Sequence, residues 1–555
     1  MVGQQVASRP GMENEGPAAA PQRNPWLILL VLCGAIFMLL LDTTIVNNAQ
    51  QKIKEGLDAD LAGIQWVLDS YILTYAVLLL SFGRMGDVFG RKKLFVLGMS
   101  IFTAASALCA ASAWLGDLVG ISGVNALIIS RVLQGLGGAF MMPQTLSLIT
   151  VAFPPEKRGT AMGIWGGVVA LGAVIGPIAG GLIVTHYAWE WVFLINVPIG
   201  IAAVLATLAI VPESVDPTAS RKIDWGGVLL SGTGILALVY ASIEGASRGW
   251  TSPLILGLIA LSAVLLSLFV WWERRSADPM MKIELFQIRN FWVGNLISLA
   301  VSFGMLGIFF PMTLFLQGAL GFSPIRAGLT MTPMSLMILI AAPIAGRMTD
   351  RIGARWILVT GLSMMTVGIF MLRAAIAVDT TWRTLLPSLI VAGLGMGMTF
   401  APMTAAVMAE VPPRIAGSAS GILNTMRNVG QVLGIAVLGS VLQGRVGVHA
   451  TERVDSFGLD PGVSSRVVDL ARDGRLEAIP AVVPAGQTET LQTIFGAVQH
   501  AFVDSLHETF IVGALACAVA LGVSLLLRNP ALRTAPATRP AMDGERAGAP
   551  AVSAD

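Results

Sequence analysis

Charge is what this sequence most lacks. Only 12% of its 555 residues are Asp, Glu, Lys or Arg, against roughly a quarter in soluble domains. The net charge of +2 offers nothing to suggest a nucleic-acid partner. Cysteine is almost absent. Cys33, Cys109 and Cys517 are odd in number and each sits in an apolar stretch, which argues against a disulfide framework or a metal cluster. Histidine is scarce, and His186, His449, His500 and His507 are all expected in loops. A proton relay inside an apolar segment would then have to use carboxylates. No Gly-Lys pair occurs anywhere, so the usual phosphate-binding loop is excluded, and with it an ATP-driven pump of that kind. No catalytic constellation appears, so no enzyme is expected. Residues 1–24 lack the charged start, apolar run and small-residue cleavage site of a signal peptide and are expected to be a retained tail. Residues 529–555, rich in Ala, Pro and Arg, are expected to be a second disordered tail.

Apolar length is what the chain has in excess. It is 55% hydrophobic with a mean hydropathy of +0.75. A membrane span needs about 20 mainly apolar residues, and such stretches recur along almost the whole sequence. They fall near 26–47, 64–82, 94–114, 124–146, 160–184, 191–211, 226–245, 252–272, 291–316, 328–346, 356–376, 384–408, 417–442 and 508–528. An all-α membrane protein with fourteen spans is expected. Cations such as Arg84, Arg91, Lys92, Lys93, Lys157, Arg158, Arg221, Lys222, Arg274, Arg275, Arg347, Arg351 and Arg355 fall in alternate loops. The positive-inside rule then puts both termini in the cytosol of a multi-pass plasma (inner) membrane protein. The polar stretch 443–507 is expected outside, as a solvated loop with a short amphipathic helix.

Repeats give the organisation. Gly83-Arg84-Met85-Gly86-Asp87-Val88-Phe89-Gly90 returns as Gly346-Arg347-Met348-Thr349-Asp350-Arg351-Ile352-Gly353. Gly135-Leu136-Gly137 with Pro143 is echoed by Gly393-Leu394-Gly395 with Pro402, and Gly159-Thr160-Ala161 by Gly417-Ser418-Ala419. Three echoes in one order imply two homologous halves. The first echo follows the second span and its partner the tenth, so two extra spans lie between the halves. The expected domains are a six-helix bundle over 25–212, a two-helix insert over 213–275 and a second six-helix bundle over 276–528.

The stretch Gly83 to Gly90, continued by Arg91-Lys92-Lys93, resembles the cytosolic signature of the major facilitator superfamily. Its glycines let a short turn approach neighbouring helices. Asp87, with Arg84 and Arg91, is expected to form an ion-pair latch between the halves, with Asp350 at the second copy; a basic loop that only fixes topology is the plainer alternative. Ser130-Arg131-Val132-Leu133-Gln134-Gly135 is similar to the family's fourth-span motif, where the arginine is implicated in proton coupling. Gly172, Gly176, Pro177, Gly180 and Gly181 match the fifth-span antiporter motif, with a glycine every fourth residue forming a smooth helix face. The second half keeps Gly430 and Gly434 but has Ile435 where the proline would fall. Leu41-Asp42-Thr43-Thr44-Ile45-Val46-Asn47 resembles a motif of the fourteen-span drug:proton antiporters of EmrB/QacA type, although Asn48-Ala49-Gln50 departs from the usual Ala-Leu-Pro run. Trp189-Glu190-Trp191-Val192-Phe193-Leu194-Ile195-Asn196-Val197-Pro198 also fits that family.

Helix rise adds one argument independent of the resemblance. At about 1.5 Å per residue, Asp42 lies about 24 Å along its span, and Asp69 and Arg131 fall at a similar depth in the second and fourth. A shared polar pocket is expected, with Arg427 as a second-half candidate. An ionisable group in an apolar helix calls for a function, and Asp42 is the leading proton carrier, with Arg131 beside it. The resemblance then implies export of a cationic or amphipathic drug-like compound in exchange for protons, with no cofactor beyond the proton gradient. The partners are a small-molecule substrate, protons and the lipid bilayer; a periplasmic adaptor is not indicated. A dedicated exporter of one natural product, lipid or siderophore is the alternative. A proton-coupled importer is disfavoured by the complete antiporter motif.

Overall fold

The structure, a computed structural model, describes residues 24–529 apart from 217–219, 458, 473–475 and 483–487. The expected terminal tails thus lie almost wholly outside the described residues. The described chain is helical throughout, as a membrane chain must be unless it closes a barrel, because each helix satisfies its own backbone. In order come α1 (Pro25–Gly56), α2 (Leu61–Phe89), α3 (Arg91–Ala110), α4 (Ser112–Val119), α5 (Gly123–Ala152), α6 (Pro155–His186), α7 (Trp191–Leu194), α8 (Asn196–Ile210), α9 (Trp225–Arg248) and α10 (Pro253–Glu273). There follow α11 (Arg289–Leu314), α12 (Pro324–Ile352), α13 (Ala354–Ala375), α14 (Trp382–Ala409), α15 (Ala416–Val454), α16 (Pro461–Arg472) and α17 (Thr488–Ser524). Among the described residues, twelve stretches are long and apolar enough to cross a membrane.

Helix starts follow side-chain capping. Asp60 accepts from Gly63 N at 2.7 Å, Asp224 from Gly227 N at 2.9 Å and Asn24 from Trp26 N at 3.0 Å, each supplying an acceptor to an otherwise orphan donor. Two stops need glycine. Gly90 (φ +114°) and Gly353 (φ +84°) each turn the chain in a single residue between α2 and α3 and between α12 and α13.

Helix pairing repeats between the two parts of the chain. In the first, α5 packs on α2 and α3, α6 on α1, and α8 on α3 and α1; in the second, α14 packs on α12 and α13, α15 on α11, and α17 on α13 and α11. The parts meet where α6 packs on α12 and α2 on α15. The pair α9 and α10 pack on each other, and α9 also lies against α2 and α15. Ile235, Leu238 and Val239 join Ala76 and Val432 in one small apolar cluster there. By contrast α10 is nearly bare, with Leu256, Leu261 and Val264 exposed.

Three expectations change. The stretch Gly83–Phe89 is not a loop but the last turns of α2, and Gly346–Ile352 ends α12. Hydropathy stops a span at its first charge, whereas here Asp87 and Asp350 are held by hydrogen bonds, Asp87 also by Arg91, so the helix continues. The stretch 443–507 is mostly helix rather than loop: α15 runs on to Val454 and α17 begins at Thr488, while α16 is the short amphipathic helix expected there, with Arg466 and Asp469 exposed and Val467, Val468 and Ala471 in the core with Val446, Val498 and Phe502. Nor do the histidines lie in loops. His186 ends α6, His449 lies on α15, and His500 and His507 on α17. All three helices outrun the apolar stretches used to place those residues.

Candidate functional site

Asp42 and Arg131 meet. Both are almost fully buried, and Arg131 Nη1 donates to Asp42 Oδ2 at 2.7 Å. The other carboxylate oxygen accepts from Gln134 Nε2 at 2.8 Å and Asn196 Nδ2 at 2.9 Å. Both amides also reach Ser106 Oγ at 3.0 Å. Arg131 is held further by Gln134 Oε1 (2.6 Å), the Val67 carbonyl (3.2 Å) and the face of Tyr71, 4.2 Å from the ring centre. The cluster therefore draws on α1, α2, α3, α5 and α8. A buried charge is tolerable only when paired and hydrogen-bonded, and this one is paired, with both oxygens occupied.

Gln134 and Asn196 received no role from the sequence, though both stood inside motifs that it singled out. Their signal was an amide in an otherwise apolar helix, where an unpaired amide is costly.

Asp69 is elsewhere. Val67 and Tyr71 occupy the α2 face toward Arg131. A residue two positions from Val67 is rotated by about 200° at 3.6 residues per turn, so Asp69 shares the opposite face with Trp66, which stacks on Tyr240 of α9 at 6.2 Å. The charge facing Asp69 is Glu244 of α9. Equal depth is necessary for a shared pocket but leaves azimuth open, and azimuth separates Asp69 from Asp42.

Glycine contacts connect α1 to the seam between the two parts. A Cβ on Gly172 would lie 2.9 Å from Leu40 Cβ, and one on Gly176 would overlap Thr44 Oγ1. Thr44 Oγ1 donates to Leu40 O at 2.9 Å and reaches Gly172 O at 3.4 Å. The stripe thus seats α6 on α1 within a turn of Asp42. Nearer its start, α6 meets α12, where Cβ atoms on Gly163 and Gly346 would stand 3.1 Å and 2.9 Å from each other's Cα. Gly180 is buried and Gly181 half-buried. The side chain of Pro177 lies outside the described residues.

At that end of the bundle the repeated acids cross between the parts. Asp87 accepts from Gly417 N (2.8 Å), Ser418 N (2.7 Å) and Ser418 Oγ (2.9 Å) at the start of α15. Asp350 accepts from Gly159 N and Thr160 N at 2.7 Å and Thr160 Oγ1 at 2.5 Å near the start of α6. An acidic side chain suits a helix start, where amides are unpaired and the dipole is positive. Arg91 reinforces only the first clasp: Nη2 reaches Asp87 Oδ1 and the Pro413 carbonyl at 2.6 Å and the Arg414 carbonyl at 2.8 Å. The expected latch exists, but the bonds across it run from backbone amides and hydroxyls to the two carboxylates and from Arg91 to backbone carbonyls; the ion pair itself stays within one motif. Gly83 permits the approach, its Cβ position lying 2.7 Å from Gly417 O, and Gly86 leaves room for Gln144. Arg84 is buried with Nη1 lacking a partner, at a shallow pocket lined also by Lys222, Asp224 and Asp278.

Arg427 sits alone between the parts. It donates to Thr404 Oγ1, its guanidinium carbon lies 5.7 Å from the Trp165 ring and 5.8 Å from Phe400, and no carboxylate pairs with it among the described residues.

The Major Facilitator Superfamily family model matches residues 32–435. The chain is 33% identical over 521 residues to the tetracenomycin C resistance and export protein of Streptomyces glaucescens, covering 92% of this chain and 93% of that one. It is 36% identical over 418 residues to the multidrug resistance protein Stp of Mycobacterium tuberculosis, covering 75% and 76% of the two chains. Its fold matches the proton:xylose symporter XylE with a TM-score of 0.53 at 15% identity, covering 88% and 94%. Buried charge cluster, crossed clasps and family match together lead to one statement: this chain belongs to the major facilitator superfamily of membrane transporters.

Proposed function

We propose that the chain is a proton-coupled efflux transporter of amphipathic, drug-like organic compounds, working by alternating access in the plasma membrane. The observation that carries this reading is the buried Asp42–Arg131 ion pair on the helix that seats the antiporter-motif glycines. Protonating Asp42 removes one charge of a buried pair and leaves Arg131 with Gln134, the Val67 carbonyl and Tyr71. That changes what holds α1 against α5, and α6 carries the change to α12, where the clasps close one end of the path. A proton taken up when the site opens outward and released when it opens inward then biases a two-state element in opposite directions.

Fourteen spans complete the proposal. Besides the twelve apolar stretches, α6 and α11 are long helices packed inside the bundles, and α1–α6–α12 contact is central to the repeated pairing. The reading keeps bundles at 25–212 and 276–528, the insert at 213–275 and both termini in the cytosol. A second reading, export of a single natural product, is supported by the near full-length similarity to a protein named for resistance to and export of tetracenomycin C. Liposomes holding the purified chain under an imposed pH gradient test the proposal. Substrate-driven proton release is expected from the wild type and not from Asp42→Asn. Equal pH dependence in folded Asp42→Asn would remove Asp42 from the coupling role.

A further inference from the structure

Arg427 lies deeper in the bundle than Arg84 and Arg158, the other buried arginines without an ion pair among the described residues, which sit at the clasped end. Arg131 has Asp42 and Arg91 has Asp87. The Arg427 guanidinium has one hydroxyl, Thr404 Oγ1, and its buried Nε has no hydrogen-bond partner. Arginine keeps its charge at any physiological pH, and a cation in a span without a counter-charge is costly.

Its surroundings are short of acceptors and rich in aromatic faces. Trp165 of α6 is buried, and its indole Nε1 also lacks a partner. Phe400 of α14 also lies near the guanidinium, and Tyr75 of α2 is close enough to feel its charge. Tyr75 stacks in parallel with Tyr71, which covers Arg131. Arg427 and Trp165 thus each carry a buried N–H donor without a hydrogen-bond partner, with 5.7 Å between guanidinium carbon and ring centre, on helices of both parts. Arg427 is ten residues beyond Gly417 on α15, which at the helical rise puts it about 15 Å from the clasped end, near the middle of a hydrocarbon core about 30 Å thick. A transporter's substrate site lies at such a level, between its repeats.

From this geometry we infer that Arg427, with Trp165 Nε1 and the faces of Phe400 and Tyr75, recognises an anionic oxygen, a carboxylate or phenolate, carried by a planar aromatic substrate. The inference rests on the transport reading above and replaces its expected cationic substrate by an anionic one. An anion supplies the missing counter-charge and acceptors together. Its ring replaces water against three aromatic side chains. The charge-neutral Asp42 cluster, its carboxylate and guanidinium already paired with each other, does not compete for it.

The test is calorimetric titration of the full chain in nanodiscs with naphthoate, methyl naphthoate and naphthylmethyl-trimethylammonium. The wild type is expected to bind the carboxylate about tenfold or more tightly than the ester, the effect of one charge-assisted contact. Arg427→Gln should bring that ratio to about one, Arg427→Lys should keep part of it, and Trp165→Phe should lower it about threefold through loss of one donor. If Arg427→Gln does not fold, the wild-type ratio and the other two variants decide. A wild type that favours the ammonium or the ester, or an unchanged ratio in Arg427→Gln, overturns the inference. The same probes in liposomes under a pH gradient separate the two readings. Arg427-dependent naphthoate binding without proton-driven movement removes antiport and leaves the anion site. Proton-driven movement of the ammonium alone does the reverse.

Discussion

The two parts of this chain share a helix pairing but hold their buried cations in opposite ways. In the first, Arg131 is surrounded by a carboxylate, an amide oxygen, a carbonyl and an aromatic face. In the second, Arg427 keeps one hydroxyl and two distant rings. The first is a closed circuit, in which changing one member disturbs all the others. The second is an open one, with no counter-charge among the described residues. On the proposed reading, the first site is suited to moving a proton within the protein and the second to receiving a ligand.

The largest expected effect is a difference of sign. Arg131→Gln should destabilise the folded chain by about 3–5 kcal/mol, because it leaves the Asp42 charge buried and unpaired. Arg427→Gln removes a charge that has no counter-charge among the described residues and should leave the melting temperature equal or higher. Adding Asp42→Asn to Arg131→Gln should recover most of the lost stability without recovering gradient-driven transport. Thermal unfolding in one detergent measures all four proteins. Equal losses in the two arginine variants would dissolve the distinction between closed and open circuits.

Next in size is the link between the parts. Gly176→Leu should abolish transport while the protein still inserts, since even a Cβ there overlaps Thr44 Oγ1 beside Asp42. Normal vesicle efflux by the well-expressed variant would reduce the glycine stripe to ordinary packing.

The clasps repeat the asymmetry on a smaller scale. Asp87 has Arg91 behind it, whereas Asp350 has only the Gly159 and Thr160 donors. Asp87→Ala should therefore open the clasped end more than Asp350→Ala, each lost charged hydrogen bond contributing about 1.5–3 kcal/mol. Spin-label distances across α2–α15 and α6–α12 would report the open fraction, and an equal shift would leave Arg91 without a gating role.

Asp69 is expected to matter least. Lying toward Glu244 and Tyr240 of α9, Asp69→Asn should leave the pH dependence of efflux within a factor of about two, as a polar change remote from the coupled pair does. A loss as deep as that of Asp42→Asn would return Asp69 to the coupling cluster.

The sequence by itself determined the class of molecule, the positions of most helices and the repeat, and it singled out Asp42, Arg131, Asp87 and Asp350 as charges inside or beside apolar runs. These depend on local quantities, namely apolar run length, charges inside such runs and glycine spacing, all of which can be counted along a chain. Helix ends were less legible, because hydropathy treats a charge as a boundary even where a partner lets the helix continue, as at Asp87 with Arg91. Azimuth and partnership were decided only by the tertiary structure. Residue spacing gave Asp69 and Asp42 one depth, yet α2 turns them to different neighbours. Two echoes, Asp87/Asp350 and Gly417-Ser418/Gly159-Thr160, were visible as separate repeats. That each acid clasps the other half's glycine pair follows from how α2 crosses α15 and α12 crosses α6, a relation between segments hundreds of residues apart that no local pattern encodes. The same holds for Arg427: its charge was plain in the sequence, but its lack of a partner is a property of everything packed around it.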